Sequence, residues 1–209
     1  MLTYDPEAAA AHLRKMDPVL ARMMDLVGPF SLQTRDGAFR SLAQAVFFQQ
    51  LAGPAARAIM LRVLARLGTD EARFFTPERF LAAPDEELRS AGLSRQKVSY
   101  LRDLSRRFVT GELKEDELAQ LDDEGVVRAV SAVKGIGRWT AEMFLIFSLG
   151  RPDVLPVDDL GVRRGFQRVY SFDHLPNADE MRQVAEPWRP YRSAGTWYMW
   201  RAIAIDLPA

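Results

Sequence analysis

An all-α fold is what this sequence predicts, and three features predict it. Apolar residues recur at spacings of three and four along most of the chain, as on one face of a helix. Helix-opening pairs punctuate it, among them Asp5-Pro6, Asp17-Pro18 and the Asn177/Glu180 pattern of a capping box. Strand-like alternation is scarce, with "FSLQTR" near residue 30 its one weak instance. A length of 209 residues suffices for a core that folds alone, and 48% hydrophobic with 27% charged residues is ordinary globular composition. The 28 basic and 28 acidic residues cancel, so any face for a polyanion has to be local. Cysteine is absent, which excludes disulfides, thiolate zinc sites and iron–sulfur clusters. The N-terminus "MLTYDPEAAAAHLRKMDP" carries charge throughout, unlike a signal peptide. No run approaches the ~18 apolar residues of a membrane span. A soluble intracellular protein is the expectation.

The elements follow in order. Asp5-Pro6-Glu7 opens a first helix, and Asp17-Pro18 a second that stops at Gly28-Pro29. "AFRSLAQAVFFQQLAG" places Phe39, Leu42, Ala43, Val46 and Phe47 on one helical face. Pro54 opens a helix that ends at Gly68. "TPERFLAA" and "PDEELRSAG" read as two short helices, the second stopped by Gly92. Ser94 caps "RQKVSYLRDLSRRFVTG", with Val98, Leu101, Leu104 and Phe108 on one face. "DELAQL" and "DEGVVRAVSAV" follow, then a glycine turn, then "RWTAEMFLIFSLG". An extended connection, "RPDVLPVDD", leads to "LGVRRGFQRVY". "ADEMRQVAE" comes next, and a last helix is expected from about Pro190 to Ile205. Neither an internal repeat nor a low-complexity linker divides the chain.

The turn "VKGIGRWTAEMF" carries the first chemistry. Gly135 and Gly137 free the backbone for positive φ and for close approach by another molecule, with Ile136 anchoring the turn from below. A helix starting at Arg138 leaves N–H groups pointing outward, a geometry that receives an anion, most often phosphate. A plain tight turn between two helices is the alternative use of such glycines. Downstream, "VLPVDDLGVRRGF" sets two carboxylates in a short loop before a helix. Capping is the structural use of either aspartate, but only one can cap, and adjacent carboxylates repel.

Helix, glycine hairpin, helix and then this acidic loop resemble the helix-hairpin-helix DNA glycosylases, most closely the 3-methyladenine DNA glycosylase II family. The resemblance runs from about Phe39 to Trp200. Longer members carry a β-rich N-terminal lobe, which is expected to be absent or reduced in this chain. The resemblance implies a two-lobed helical fold with the active cleft between the lobes. Residues 39–147, ending in the hairpin 133–138, would form one lobe, and residues 1–38 with 148–209 the other. It implies hydrolytic excision of flipped alkylated bases (3-methyladenine, 7-methylguanine) from duplex DNA, leaving an abasic site. No redox cofactor or catalytic metal would take part, and a sodium or potassium ion could sit on hairpin carbonyls. A monomer is implied, without membrane partners, acting on the nucleoid in a bacterial cytoplasm.

Residue roles follow the motif. Asp159 matches the catalytic position, with Asp158 the second choice. A carboxylate there stabilises the oxocarbenium-like sugar and orients or deprotonates water. In relatives that also nick the strand, a Schiff-base lysine stands two residues after the second hairpin glycine. Trp139 occupies that position, after Arg138, and the nearest lysine is Lys134 on the other side of the hairpin. Base removal without strand cleavage is therefore expected, and the missing cysteine cluster agrees. Trp139 and Trp200 offer aromatic faces to a methylated, cationic purine, a contact worth ~0.5–2 kcal/mol. Met143 stands where some relatives have Tyr, which implies a roomier pocket. Trp197 and Tyr198 read as core of the last helix.

Leu51, after Gln49-Gln50 and before Gly53-Pro54, matches the wedge that fills the gap of an extruded base; a core leucine is the alternative. Lys134, Gly135, Ile136, Gly137, Arg138, Gln50, Ser94, Arg95 and Lys97 complete the DNA-binding set. Arg163, Arg164 and Arg168 supply further local charge, or only a solvated face. Two other readings remain at this point: a bifunctional glycosylase/lyase, which needs a lysine at Trp139, and a non-catalytic hairpin module, which needs no acidic pair.

Overall fold

The structure is a computed structural model that describes residues 1–34 and 37–205. All regular structure among them is helical. Asp5 caps α1 (Pro6–Met16), and Asp17 caps α2 (Pro18–Val27) through Val19 N and Leu20 N. Then come α3 (Ala38–Phe48) and α4 (Gly53–Arg66). Thr76 caps α5 (Pro77–Ala82), which precedes α6 (Asp85–Ser90). Ser94 Oγ accepts from Lys97 N at the start of α7 (Arg95–Val109). Next are α8 (Glu115–Gln120), α9 (Asp123–Ser131) and α10 (Arg138–Phe147). The last three are α11 (Leu160–Val169), α12 (Ala178–Ala185), which has the full Asn177/Glu180 capping box, and α13 (Arg192–Ala202).

Two expectations need correction. "FSLQTR" forms no strand over its described residues 30–34, and Arg35 lies outside them. A lone alternating stretch has no partner strand to pair with; Phe30 instead packs edge-on against Trp197, ring centroids 5.3 Å apart. The last helix is shorter than expected. Glu186–Trp188 form a 3₁₀ turn, and α13 begins only at Arg192, because the prolines at 187 and 190 interrupt the α-helical ladder.

The chain divides into two compact units, Met1–Thr34 with Leu145–Ala209, and Arg35–Phe144. The first is built on Leu13, Leu20, Met24, Val162, Phe166, Met181, Trp188, Tyr198 and Met199. Asp17 braces it: its Oδ2 accepts from Tyr170 Oη at 2.6 Å and Trp188 Nε1 at 2.8 Å. Burial, and next the bond to Asp17, pushes the Tyr170 hydroxyl well above its ordinary value. Helices α11 and α13 cross closely because residue 165 is glycine; a Cβ there would lie 2.4 Å from Met199 O. The extended connection before Asp159 is tied to the start of α13. Ser193 Oγ donates to Arg151 O at 2.7 Å and accepts from Val154 N at 3.0 Å, while Arg192 Nε and Arg189 Nη1 each reach Asp153 at 2.6 Å. In the second unit, α7 packs its Val98/Leu101/Leu104 face on α3 and α5. Arg102 holds the C-terminal end of α5 through Leu81 O and Ala83 O.

Candidate active site

The hairpin between α9 and α10 rests on a buried Ile136, whose N–H donates to Val133 O at 3.1 Å. Gly135 has φ +75°, a left-handed conformation that side chains resist. The space beside it is filled as well: a Cβ at 135 would lie 2.1 Å from Tyr100 Cε2. Gly135 is thus explained inside the protein. Gly137 is not, because its φ is not left-handed and no atom lies within 4 Å of its Cβ position. Its carbonyl accepts the first bond of α10, from Ala141 N at 3.1 Å. Having no side chain, it leaves the α10 N-terminus open to an outside anion. The expectation of positive φ at both glycines therefore holds only at Gly135.

The turn is braced by residues that the sequence pattern did not single out. Gln49 Nε2 donates to Gly135 O at 2.8 Å. Asp103, on α7, accepts from Lys134 N at 3.0 Å and from Arg106 Nη2 and Arg107 Nε at 3.0 and 3.1 Å. Burial alone would raise the Asp103 carboxyl, but these donors outweigh it and hold the group at about 2. Gln49 also links the hairpin to the turn after α3, where Gln50 has φ +55° and Leu51 stands 40% exposed. An exposed leucine beside a strained residue is not a core leucine.

The basic residues divide sharply. The side chains of Lys134 and Arg95 are exposed and carry no ion pair among the described residues. Arg138, expected on DNA, is committed to Glu124 by bonds of 2.8 and 2.7 Å. Lys97 donates Nζ to Phe47 O at 2.6 Å, and burial pushes its ammonium below its ordinary value; it ties down the end of α3. Arg163 binds Pro176 O, and Arg168 binds Ala202 O and Ile205 O, each a structural use. Arg164 stays exposed.

The acidic loop separates its two aspartates by environment. Asp158 is exposed. Asp159 is 8% exposed and is itself the N-cap of α11, its Oδ1 accepting from Val162 N at 2.8 Å. Capping and catalytic candidacy, expected on different residues, thus fall on one carboxylate. The same Oδ1 accepts from Trp200 Nε1 at 2.9 Å. Trp200 stacks on Phe147, ring centroids 5.4 Å apart at 23°. On α10, Trp139 is 46% exposed one turn before the half-buried Met143. Tyr198 is core as expected, and Trp197 is partly buried against it.

A family model for the HhH-GPD superfamily of base excision DNA repair proteins matches residues 43–190, which include both the hairpin and the acidic loop. This chain belongs to that superfamily. Among HhH-GPD relatives, DNA-3-methyladenine glycosylase 1 of Schizosaccharomyces pombe is 33% identical over 202 residues, covering 94% of this chain and 87% of the relative. A putative DNA-3-methyladenine glycosylase of Bacillus subtilis is 34% identical over 61% of this chain and 44% of its own. Among solved structures, the S. pombe 3-methyladenine DNA glycosylase in complex with abasic DNA superposes with a TM-score of 0.83 at 31% identity. That alignment covers 95% of this chain and 97% of the other. A DNA-3-methyladenine glycosidase from Bacillus halodurans gives a TM-score of 0.85 at 34% identity, over 97% and 91% of the two chains.

Proposed function

We propose that this chain binds duplex DNA, flips out an alkylated purine and hydrolyses its N-glycosidic bond, leaving an abasic site. Its superfamily together with its likeness to DNA-3-methyladenine glycosylases makes it a DNA glycosylase; the residue roles below are our reading. The observation that carries it is Asp159, a nearly buried carboxylate fixed by the Val162 N–H and the Trp200 indole N–H. Methylation at N3 or N7 leaves the purine cationic. When the C1′–N bond breaks, its electron pair leaves with the base, which departs neutral. The sugar becomes oxocarbenium-like, and the Asp159 anion stabilises it. Water attacks C1′ and gives up a proton, for which Asp159 is the acceptor.

On DNA, Gly137 and the open α10 N-terminus take a backbone phosphate, with Lys134 beside them. Leu51 fills the gap left by the base, and Gln50 holds the turn that presents it. Ser94 and Arg95 flank the same strand. Trp139 and Met143 contact the cationic base. Trp139 in place of a Schiff-base lysine supports hydrolysis without strand nicking. No group of three His, Asp or Glu among the described residues suits a metal ion. A sodium or potassium ion would therefore depend on hairpin carbonyls, of which Gly135 O already accepts from Gln49. No described helix is long and apolar enough to cross a membrane; we place the work of the chain on the chromosome, as a monomer in a bacterial cytoplasm. The test is release of methylated bases from duplex DNA, followed by alkali to reveal abasic sites. Bases released with intact strands before alkali support the reading. Absence of release, with DNA binding retained, favours a hairpin binding module instead.

A further inference from the structure

Trp200 is read from family likeness as an aromatic wall for the base, but its surroundings give it another task. One ring face lies on Phe147. The polar edge is spent on Asp159 Oδ1, at 2.9 Å. That approach needs an empty position 161. A Cβ built there would lie 3.1 Å from Asp159 Oδ1, 3.1 Å from Trp200 Cδ1 and 3.4 Å from Trp200 Nε1. Gly161 is in the first turn of α11 and is not left-handed, so backbone freedom does not explain a glycine there. The vacant volume does: a Cβ at these distances is tighter than ordinary contact, so indole and carboxylate would have to give by a few tenths of an ångström.

We propose that Trp200 is a positioning residue that acts through Asp159, and that Gly161 is the gap that lets it do so. A carboxylate plane can turn about the side-chain bond, and each donor that reaches it restricts that turn. A second donor on the same oxygen, coming from a ring pinned on Phe147, fixes that plane. Electrostatic stabilisation of a developing cation depends on such preorganisation, since an anion that must first reorient gives back part of its effect. The inference rests on the reading of Asp159 as the excising carboxylate.

The experiment is a double-mutant cycle on the full chain, with single-turnover base release from methylated duplex DNA and affinity for the same duplex as readouts. Trp200→Phe keeps an aromatic ring against Phe147 and removes the N–H, together with part of the indole's bulk. Gly161→Ala keeps both side chains and fills the gap. Each should slow release about 10- to 100-fold, the scale of one hydrogen bond to a charged group, with affinity unchanged. Adding Trp200→Phe to Asp159→Asn should slow release no further, because the charge being positioned is already gone. Additive losses, or weaker lesion binding by Trp200→Phe with an unchanged rate, would overturn the proposal in favour of a base wall. If Trp200→Phe does not fold, Gly161→Ala carries the same comparison. If Asp159→Asn alone leaves release unchanged, the reading of Asp159 fails; if it slows release and the cycle is additive, only the positioning role fails.

Discussion

Gly135 and Gly137 read alike in the sequence and should respond oppositely to the same small change. Gly135→Ala puts a methyl on a residue with φ +75°, and its Cβ would overlap Tyr100 Cε2, Cδ2 and Cζ at 2.1, 2.2 and 2.5 Å. A left-handed alanine costs about 1–2 kcal/mol, and pushing the tyrosine ring aside adds about 1–3 kcal/mol. The sum, about 2–5 kcal/mol, lowers the melting temperature by roughly 4–20 °C for a chain of this size. Gly137→Ala meets no atom within 4 Å and no left-handed backbone. Its stability should stay within about 0.5 kcal/mol of the parent. Its effect should appear on DNA, where the methyl stands where a phosphate must approach. Affinity should fall about 10-fold for damaged and undamaged duplexes alike, and the slope of log affinity against log salt should shrink by about 1. Thermal unfolding and fluorescence anisotropy at several salt concentrations read both effects. A Gly135→Ala protein as stable as its parent would refute the Tyr100 packing argument. A Gly137→Ala protein that binds normally would remove the hairpin from the phosphate interface. A changed lesion preference at unchanged affinity would move the turn into the base pocket.

Three further outcomes are expected. Asp103, held at about 2 against an ordinary 3.8, stabilises the fold fully above pH 3.8 and loses that contribution as pH falls through 2. Asp103→Asn should therefore cost about 2 kcal/mol at neutral pH, and denaturant titrations should show the difference from the parent vanishing below about pH 2. Borohydride should trap no covalent adduct on lesion-containing DNA, since Trp139 stands at the Schiff-base position; a trapped adduct would revive the lyase reading. Asp158→Asn should change neither unfolding temperature nor excision rate, because Asp158 is exposed and does not cap α11; lost excision would mean that the motif alignment is off by one residue.

Most of the helical order was legible because the signals are local. Asp5, Asp17, Ser94 and Asn177 cap the helices they were expected to start. The last helix is less legible at its ends: the sequence suggests about Pro190 to Ile205, whereas α13 runs from Arg192 to Ala202, after a 3₁₀ turn at Glu186–Trp188. The hairpin and acidic loop were legible as motifs, but their supports were not. Tyr100 and Asp103 meet the hairpin from α7, Gln49 meets it from the turn after α3, and nothing local marks those meetings. The partners of the basic residues are hidden from the sequence for the same reason. Arg138 and Lys97 look available in sequence, yet Glu124 and the Phe47 carbonyl already occupy them. The two aspartates were expected to divide capping from chemistry. Asp159 takes both places, its Oδ1 capping α11 while also accepting from Trp200 Nε1.

The decisive measurement is single-turnover base release by Asp159→Asn on duplex DNA carrying 3-methyladenine or 7-methylguanine. Asparagine caps nearly as well as aspartate and its amide oxygen can still accept from Val162 N and Trp200 Nε1; the charge is lost, and an NH2 donor replaces the second oxygen. Melting temperature and affinity for abasic duplex should stay close to those of the parent. Release should fall about 10²-fold or more, the scale of losing a main electrostatic stabiliser, with the more labile cationic base retaining a slow residual rate. Release at the parent's rate from both lesions, by a folded protein that still binds DNA, would contradict the assignment of Asp159 as the excising carboxylate.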